Sequence, residues 1–406
     1  MENYFIVADD FTGSNDTGVQ LTRRGVRTKV VLSPEAVAAD GLSYVLDTES
    51  RNMPGEDSRR KTAKLLEGLD LRSFDCVIKK VDSTLRGNVA EEIQETDRAY
   101  DSELVIFMPA LPGLGRTTEG GVHKLNGVRI GETELAKDPR KPVLLDEPAK
   151  ILKSVYDEPV GSLLLEQIHA GAVRFDGARL WACDAATDRD MRAVIAAARK
   201  TGKRVLWVGT AAIADNLLSD EHPTLPAMAV ICSVSDVARR QIRYAESKGL
   251  TVLQVDVPAL LCGGDPAQYV ERALRVLRDG KDLALVSSAS YDRAELEASV
   301  NAGAELGLSG ERVAEFASSE ITRIADEILK KTPVSGLFLS GGDTAIHFFE
   351  RVGAGGSEIL FELTVGIPLM RLSGGRLDGL RVVTKAGAFG SEDALPMILR
   401  KLGEAD

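Results

Sequence analysis

Short, unbroken apolar runs alternate along the chain with stretches whose apolar residues recur every three or four positions. The runs read as strands buried on both faces, and the spaced stretches as helices with one buried face. In the first half the pattern predicts strands over 4–8, 28–32, 44–46, 76–81 and 104–108, and helices over 17–24, 56–69 and 89–100. Gly25 stops the first helix. Asn88, with Glu91 three residues on, reads as a capping box for the third. From 109 to about 148 the rhythm breaks into a segment rich in Gly, Pro, Thr and Asp, and a loop that long is expected to be functional or disordered. Strands over 180–183 and 205–208 then flank a helix over 188–199.

The polar stretch 219–226 (SDEHPTLP), with two prolines, reads as a linker. Beyond it the alternation resumes. Strands are expected over 229–232, 251–255, 283–287 and 336–339, with helices over 237–247, 266–278 and 312–331 and another after Gly341-Gly342. Residues 367–390 read as two strands and a Gly-rich turn before a terminal helix. The expected fold class is α/β, with two domains (1–222 and 227–406), each a mostly parallel sheet flanked by helices.

A length of 406 residues suits two or three domains at about 150 residues each. The net charge of -11 argues against a nucleic-acid partner held by a basic surface. A few local Lys and Arg residues still suffice for a small anion. Cys76, Cys183, Cys232 and Cys262 form no C-x-x-C pair, so neither a disulfide framework nor a zinc cluster is expected, and a reducing cytoplasm fits. His123, His169, His222 and His347 are scattered, without H-E-x-x-H. No apolar stretch of about 18 residues predicts a membrane span, and the first residues lack the pattern of a signal peptide.

Ligands of open α/β sheets bind beyond the carboxyl ends of the strands, so polar sequences just after strands carry the chemistry. ADDFTGSNDTG (8–18) places Asp9 and Asp10 at the end of the first strand. Strand alternation would let only one of them face a ligand squarely. Asn15 and Asp16 are expected at the following helix start, where free N–H groups favour anions; both are also ordinary turn and cap residues. KKVDSTLRGN (79–88) packs two lysines, an aspartate, two hydroxyls and an arginine after another strand, against the plainer reading of a charged surface turn. TESRN (48–52) offers Arg51, which alone reads as readily as a surface residue. PALPGLGRTTEGG (109–121) offers Arg116, Thr117 and Thr118 among glycines that also suit a structural loop. FLSGGDTA (338–345) is a strand, a Gly-Gly turn and a helix start, suited to phosphate oxygens on backbone N–H groups, although such turns also arise for conformational reasons. TKAGAFG (384–390) adds a lysine and three glycines. The chain has no G-x-x-x-x-G-K-[ST], no G-x-G-x-x-G after the first strand, and no H-R-D or D-F-G.

In this order, ADDFTGSNDTG, TESR, KKVDSTLRGN, GRTT, SGGDTA and TKAGAFG resemble the four-carbon acid sugar kinases over nearly the whole chain. The resemblance implies an ATP-dependent kinase acting on the terminal hydroxyl of a four-carbon sugar acid, threonate ahead of erythronate. The N-terminal domain would hold the acid and the C-terminal domain ATP. By motif, Asp9, Arg51, Lys80, Val81, Asp82 and Ser83 would contact the acid, and Ser233, Gly341, Gly342, Asp343, Thr344 and Gly387 the nucleotide. This chain departs from the family's usual Gly-Ser pair by carrying Cys232-Ser233, which puts a thiol near the nucleotide. Phosphoryl transfer needs positioning and charge stabilisation. Arg51 and Arg86 would hold the acid's carboxylate, with Asp10 beside them, and Asp82 or Asp9 would take the hydroxyl proton. Mg²⁺ would accompany ATP; Asp343 would cap its helix or hold the metal, and the full ligand set stays open. An NAD-dependent hydroxy-acid dehydrogenase lacks its glycine fingerprint here, and a non-catalytic sensor would not need Asp9, Asp82 and Asp343 together. The expected partners are the sugar acid and ATP, with no nucleic acid and no membrane; a homo-oligomer stays open.

Overall fold

Tyr4–Ala8 (β1) is buried at every position, as a strand covered on both faces must be. The other strands of the first half are β2 (Thr28–Val31), β3 (Ser43–Asp47), β4 (Cys76–Lys80) and β5 (Leu104–Met108). They are followed by β6 (Arg116–Glu119), β7 (Val122–Leu125), β8 (Val128–Arg129), β9 (Val160–Leu163), β10 (Leu180–Cys183) and β11 (Val205–Gly209). The structure, a computed structural model, describes residues 3–138, 141–221 and 224–404. The chain divides into two units between residues 223 and 224.

In the first unit eight strands form one parallel sheet in the order β2-β3-β1-β4-β11-β5-β10-β9. Alternate residues of β1 serve opposite cores. Ile6 packs with Leu21, Met191 and Ile213 from helices Phe11–Arg23, Asp188–Arg199 and Ala211–Glu221. Phe5 and Val7 pack with Leu66 and Ile93 from helices Gly55–Leu66 and Val89–Tyr100. After β1 the chain fills one side of the sheet with β2 and β3, then crosses to β4 on the other side. The reversal opens a crevice at the carboxyl ends of β1 and β4, where doubly wound sheets place their ligands.

In the second unit the strands are β12 (Met228–Ile231), β13 (Thr251–Val255), β14 (Leu283–Ser287), β15 (Leu337–Ser340), β16 (Gly356–Thr364), β17 (Ile367–Ser373) and β18 (Arg381–Lys385). Their order is β13-β14-β12-β15-β18-β17-β16. The first five strands of that order are parallel, and β17 and β16 are antiparallel additions. Helices Ala267–Arg278, Gly310–Leu329 and Gly342–Val352 cover one face through Tyr269, Ile321 and Phe348. Helices Asp236–Ser247 and Ala394–Gly403 cover the other through Ile242 and Leu395. Here the reversal falls between β12 and β15. Among the described residues no helix is long and apolar enough to cross a membrane.

Several elements differ from the expected pattern for identifiable reasons. The first helix spans Phe11–Arg23, not 17–24, because Asp10 caps it by accepting from the Gly13 N–H at 3.0 Å. Its buried face is Gly13, Ser14, Thr17, Gly18 and Leu21, and small polar residues leave little apolar periodicity. Asn15 and Asp16 therefore sit beyond the first turn, exposed. Asn88 precedes its helix but makes no capping box. Its carboxamide instead donates to the carbonyls of Ser50 (2.9 Å) and Met53 (3.0 Å) and accepts from Lys141 Nζ (2.8 Å). The 109–148 segment contains the antiparallel sheet β6-β7-β8. β16 was not expected, because it is a largely exposed edge strand with two register shifts and no clean alternation. Of the expected linker, residues 219–221 end helix Ala211–Glu221, while His222 and Pro223 lie outside the described residues.

Candidate functional site

Three loops meet at the carboxyl ends of β1, β3 and β4, and Arg51 joins them. Its Nε and Nη2 bind Asp9 Oδ2 and Oδ1 at 2.6 and 3.0 Å. Its Nη1 and Nη2 bind Asp10 Oδ2 and Oδ1, both at 2.7 Å. Asp82 Oδ1 lies 3.7 Å from Nη1. Asp9 and Asp10 thus both turn to the same guanidinium. Strand alternation does not separate them because β1 ends at Ala8 and Asp10 already caps a helix. Gly87, at φ +103°, lets the next turn pass close by: a Cβ there would stand 3.3 Å from Arg51 Cγ and 3.4 Å from Asp9 Oδ2.

The turn after β4 is organised around Asp82, which is 7% exposed. Its carboxylate accepts from Arg86 Nε (2.9 Å) and Nη2 (3.0 Å), from the Thr84 N–H (3.2 Å) and from the Thr84 hydroxyl. Burial pushes the Asp82 carboxyl up, but the Arg86 bonds, the Arg51 charge and the Thr84 hydroxyl outweigh it and hold the group well below the usual carboxylate range. Val81 is core: its N–H goes to the Gly209 carbonyl at 2.8 Å. Ser83 is half-buried, and its carbonyl accepts from His123 Nε2 at 3.0 Å.

The two lysines ending β4 have different partners. Lys79, fully buried, pairs with Glu92 at 2.8 Å, and Glu92 also accepts from the hydroxyls of Ser50 and Ser58, making this a structural pair. Lys80 sits by the carboxylates. Its Nζ donates to the Val81 carbonyl at 2.9 Å, and a Cβ on Gly13 would lie 3.1 Å from it. Burial lowers its pKa, against the raising pull of Asp9 and Asp82. Asp9, Asp10 and Asp82 face Arg51, Arg86 and Lys80, so the cluster is formally neutral before an acid enters.

The helix start that was expected to hold an anion is already occupied by protein groups. Phe11 N–H bonds Glu49 Oε1 at 3.1 Å, and Gly13 N–H bonds Asp10. Arg116 donates to the Leu114 carbonyl, and Thr117 bonds Glu119. Of that loop, Thr118 reaches the site indirectly, through His123. Since Ser83 O can only accept, His123 carries its proton on Nε2, and Nδ1 takes the Thr118 hydroxyl at 2.9 Å. Burial holds the imidazole below its ordinary pKa. A lone histidine in an unassigned segment gave no sequence signal for this role; the hairpin that places it did not show as a strand pattern.

In the second unit Ser233, Gly341, Thr344 and Gly387 converge at the carboxyl ends of β12, β15 and β18. Gly341 has φ +121°, and a Cβ there would lie 2.7 Å from Thr344 Oγ1 and 3.8 Å from Ser233 N. A Cβ on Gly387 would lie 2.1 Å from Ser233 Oγ. Ser340 Oγ is buried without a hydrogen-bond partner among the described residues. Gly342 begins helix Gly342–Val352, and Asp343 is exposed in its first turn. Thr344 bonds the Cys232 sulfur, whose pKa burial raises to about 12, and Cys232 packs against the apolar core. Glycine-lined backbone, a helix N-terminus and an unanswered hydroxyl suit phosphate oxygens. Among the described residues no three His, Cys, Asp or Glu side chains group to hold a metal alone. An Mg²⁺ carried on phosphates needs only one or two carboxylates, and Asp343 stands where one would serve.

A family model described as a sugar-binding N-terminal domain matches residues 4–217, and one described as a nucleotide-binding C-terminal domain matches 228–395. The chain is 33% identical over 411 residues to a D-threonate kinase of Salmonella typhimurium, covering 96% of each chain. It is 28% identical to a D-erythronate kinase of Heliobacterium modesticaldum, covering 97% of this chain and 95% of the other. A crystal structure of a domain of unknown function from Bordetella bronchiseptica, a domain-swapped dimer with bound citrate, is 26% identical. It superposes with a TM-score of 0.61 over 99% of this chain and 98% of that one.

Proposed function

The chain belongs to the four-carbon acid sugar kinases, and we propose that it transfers the terminal phosphoryl group of ATP to the terminal hydroxyl of D-threonate, giving 4-phospho-D-threonate. The convergence of Asp9, Asp10, Arg51, Lys80, Asp82 and Arg86 at one sheet reversal supports an acid-binding site there. The first unit then holds the sugar acid and the second the nucleotide.

The hydrogen bonds distribute the roles. Arg51 spends its donors on Asp9 and Asp10, so it fixes the carboxylates. Arg86, whose side chain is 32% exposed, and Lys80, with one carbonyl partner, keep capacity for the acid's carboxylate. Asp82 is saturated by Arg86 and Thr84 and is a weak base. Asp9 takes one Arg51 donor on each oxygen and retains lone pairs for the substrate hydroxyl. Asp9 is therefore the proton acceptor, and Asp82 positions Arg86. The backbone N–H of Gly342, with Ser233, Thr344 and the Gly341 and Gly387 turns, holds the nucleotide, while the Gly341 N–H stays with the Lys385 carbonyl. Mg²⁺, when bound, would supply charge neutralisation at the phosphates, and Asp343 would be the side chain placed to hold it.

The test is ADP release with Mg²⁺ and ATP over D- and L-threonate and D- and L-erythronate, for the wild-type protein, Asp9→Asn and Asp82→Asn. Turnover on D-threonate, a kcat loss of about 100-fold or more for Asp9→Asn, and a raised KM for the acid in Asp82→Asn are expected. Preference for D-erythronate would transfer the reading to that acid, from which threonate differs at one carbon. No turnover on any of the four would refute the four-carbon assignment, and full kcat in Asp9→Asn would refute its role.

A further inference from the structure

β18 ends in a lysine that no acid among the described residues matches. Lys385 is 4% exposed, and its ammonium donates to the carbonyls of Ala386 and Gly387, both at 3.1 Å. Among the described residues it forms no ion pair. Burial alone lowers its pKa, to about 8, and no charged side chain contributes. Lys79 shows the contrast: fully buried, it is matched by Glu92 at 2.8 Å. A buried ammonium served only by carbonyls is an incomplete arrangement, because removing the charge from water is costly without a counter-charge.

The position of Lys385 identifies what completes it. Its strand neighbour in register is Ser340, and its carbonyl accepts the Gly341 N–H at 3.2 Å. The Gly387 carbonyl that takes the ammonium also takes the Ser235 hydroxyl at 2.7 Å, and Gly387 lies against Ser233. The buried, unpartnered Ser340 hydroxyl is on the adjoining strand end. The carboxyl ends of β15 and β18 thus gather, among the described residues, an ammonium without an anion, a hydroxyl without a partner and the N-terminus of helix Gly342–Val352. A single polyanion satisfies all three.

We propose that Lys385 is a phosphate-binding residue of the nucleotide site, its ammonium exchanging at least one loop carbonyl for a phosphate oxygen of the nucleoside triphosphate. The proposal rests on the kinase reading above and adds to it a residue and a charge. It also sets a direction of proton exchange: an ammonium whose pKa burial lowers takes up protons once a phosphate lies against it.

The test compares wild-type protein, Lys385→Met and Lys385→Arg by calorimetric titration with ATP and with adenosine at pH 8, in two buffers of different ionisation enthalpy. The wild-type protein is expected to take up protons as it binds ATP. Lys385→Met should take up none and bind ATP about tenfold or more weakly, with adenosine binding unchanged. Lys385→Arg should recover part of the ATP affinity, and unchanged adenosine binding shows that the site remains folded. Equal loss of adenosine and ATP in Lys385→Met would overturn the proposal, since the lysine would then only latch its loop. Wild-type ATP affinity and proton uptake in Lys385→Met would overturn it while leaving the kinase reading intact. Failure of the wild-type protein to bind ATP would overturn both.

Discussion

Asp47, at the end of β3, carries a carboxylate that the fold charges at a cost. It is 2% exposed; Oδ1 accepts the Glu49 N–H at 3.0 Å, and Oδ2 is buried without a partner among the described residues. Burial pushes its pKa to about 6, the Glu49 N–H opposes this, and the charges of Glu49 and Asp10 add to it. Relative to 3.8, the rise amounts to about 3 kcal/mol at ~1.4 kcal/mol per unit, and local relaxation reduces this to about 1–3 kcal/mol. The native state holds the proton up to about pH 6, whereas the unfolded chain releases it near pH 4. Stability is therefore lost as pH rises from about 4 to 6, and the penalty is full above that. Asp47→Asn keeps an oxygen for Glu49 and removes the charge. It should stabilise the first unit by about 1–3 kcal/mol at pH 8 and have almost no effect at pH 4. Both tryptophans, Trp181 and Trp207, belong to that unit, so urea unfolding followed by tryptophan fluorescence reads the right transition. An equal gain at both pH values, or none at pH 8, would show that the charge is not what Asp47 contributes.

Two further outcomes follow from the geometry of the site. Gly87→Ala forces a Cβ at φ +103° toward Arg51 and Asp9; it should cost about 1–2 kcal/mol in the same unfolding assay and lower kcat, and unchanged turnover would refute the close approach. His123→Phe leaves the Ser83 carbonyl and the Thr118 hydroxyl unanswered and should destabilise the unit by about 1–3 kcal/mol at pH 7.5. Because the folded-state pKa of His123 is depressed, its contribution is full above the unfolded value near 6.5 and fades as pH falls through the folded one. The difference between His123→Phe and the wild-type protein should therefore shrink toward pH 5, and a constant difference would contradict the neutral imidazole.

The buried parallel strands were legible because a strand covered on both faces has to be apolar throughout: β1, β5 and β14 stand where the apolar runs lie. Asp9, Arg51 and Asp82 were legible as candidates because they follow such strands. Their pairing was not. Only the side-by-side placement of β3, β1 and β4 puts a single guanidinium between Asp9 and Asp10 and near Asp82. Gly13, Ser14, Thr17 and Gly18 hid a helix turn, since small residues can line a buried face without any apolar signal. Asn88 matched a capping pattern, yet the carbonyls of Ser50 and Met53, distant in sequence, claimed its side chain. The isolation of Lys385 from any carboxylate among the described residues is likewise a property of packing, which no motif spells out.

β11 is the last strand of the first unit to leave the ribosome, yet its place is in the middle of the sheet, between β4 and β5. Until it arrives, the nascent chain can form at most two partial sheets, each presenting an open edge, β4 on one and β5 on the other. About 100 residues separate Met108 from Val205, an interval of about 5–20 s at ordinary rates of synthesis. During that interval the sticky edges need shielding, by a chaperone or by one another. The same strand supplies the Gly209 carbonyl that fixes Val81, so the Asp82 turn cannot settle before it. Acid-binding capacity is thus among the last properties the unit acquires, and a chain stalled short of residue 205 would be exposed to aggregation while still unable to bind.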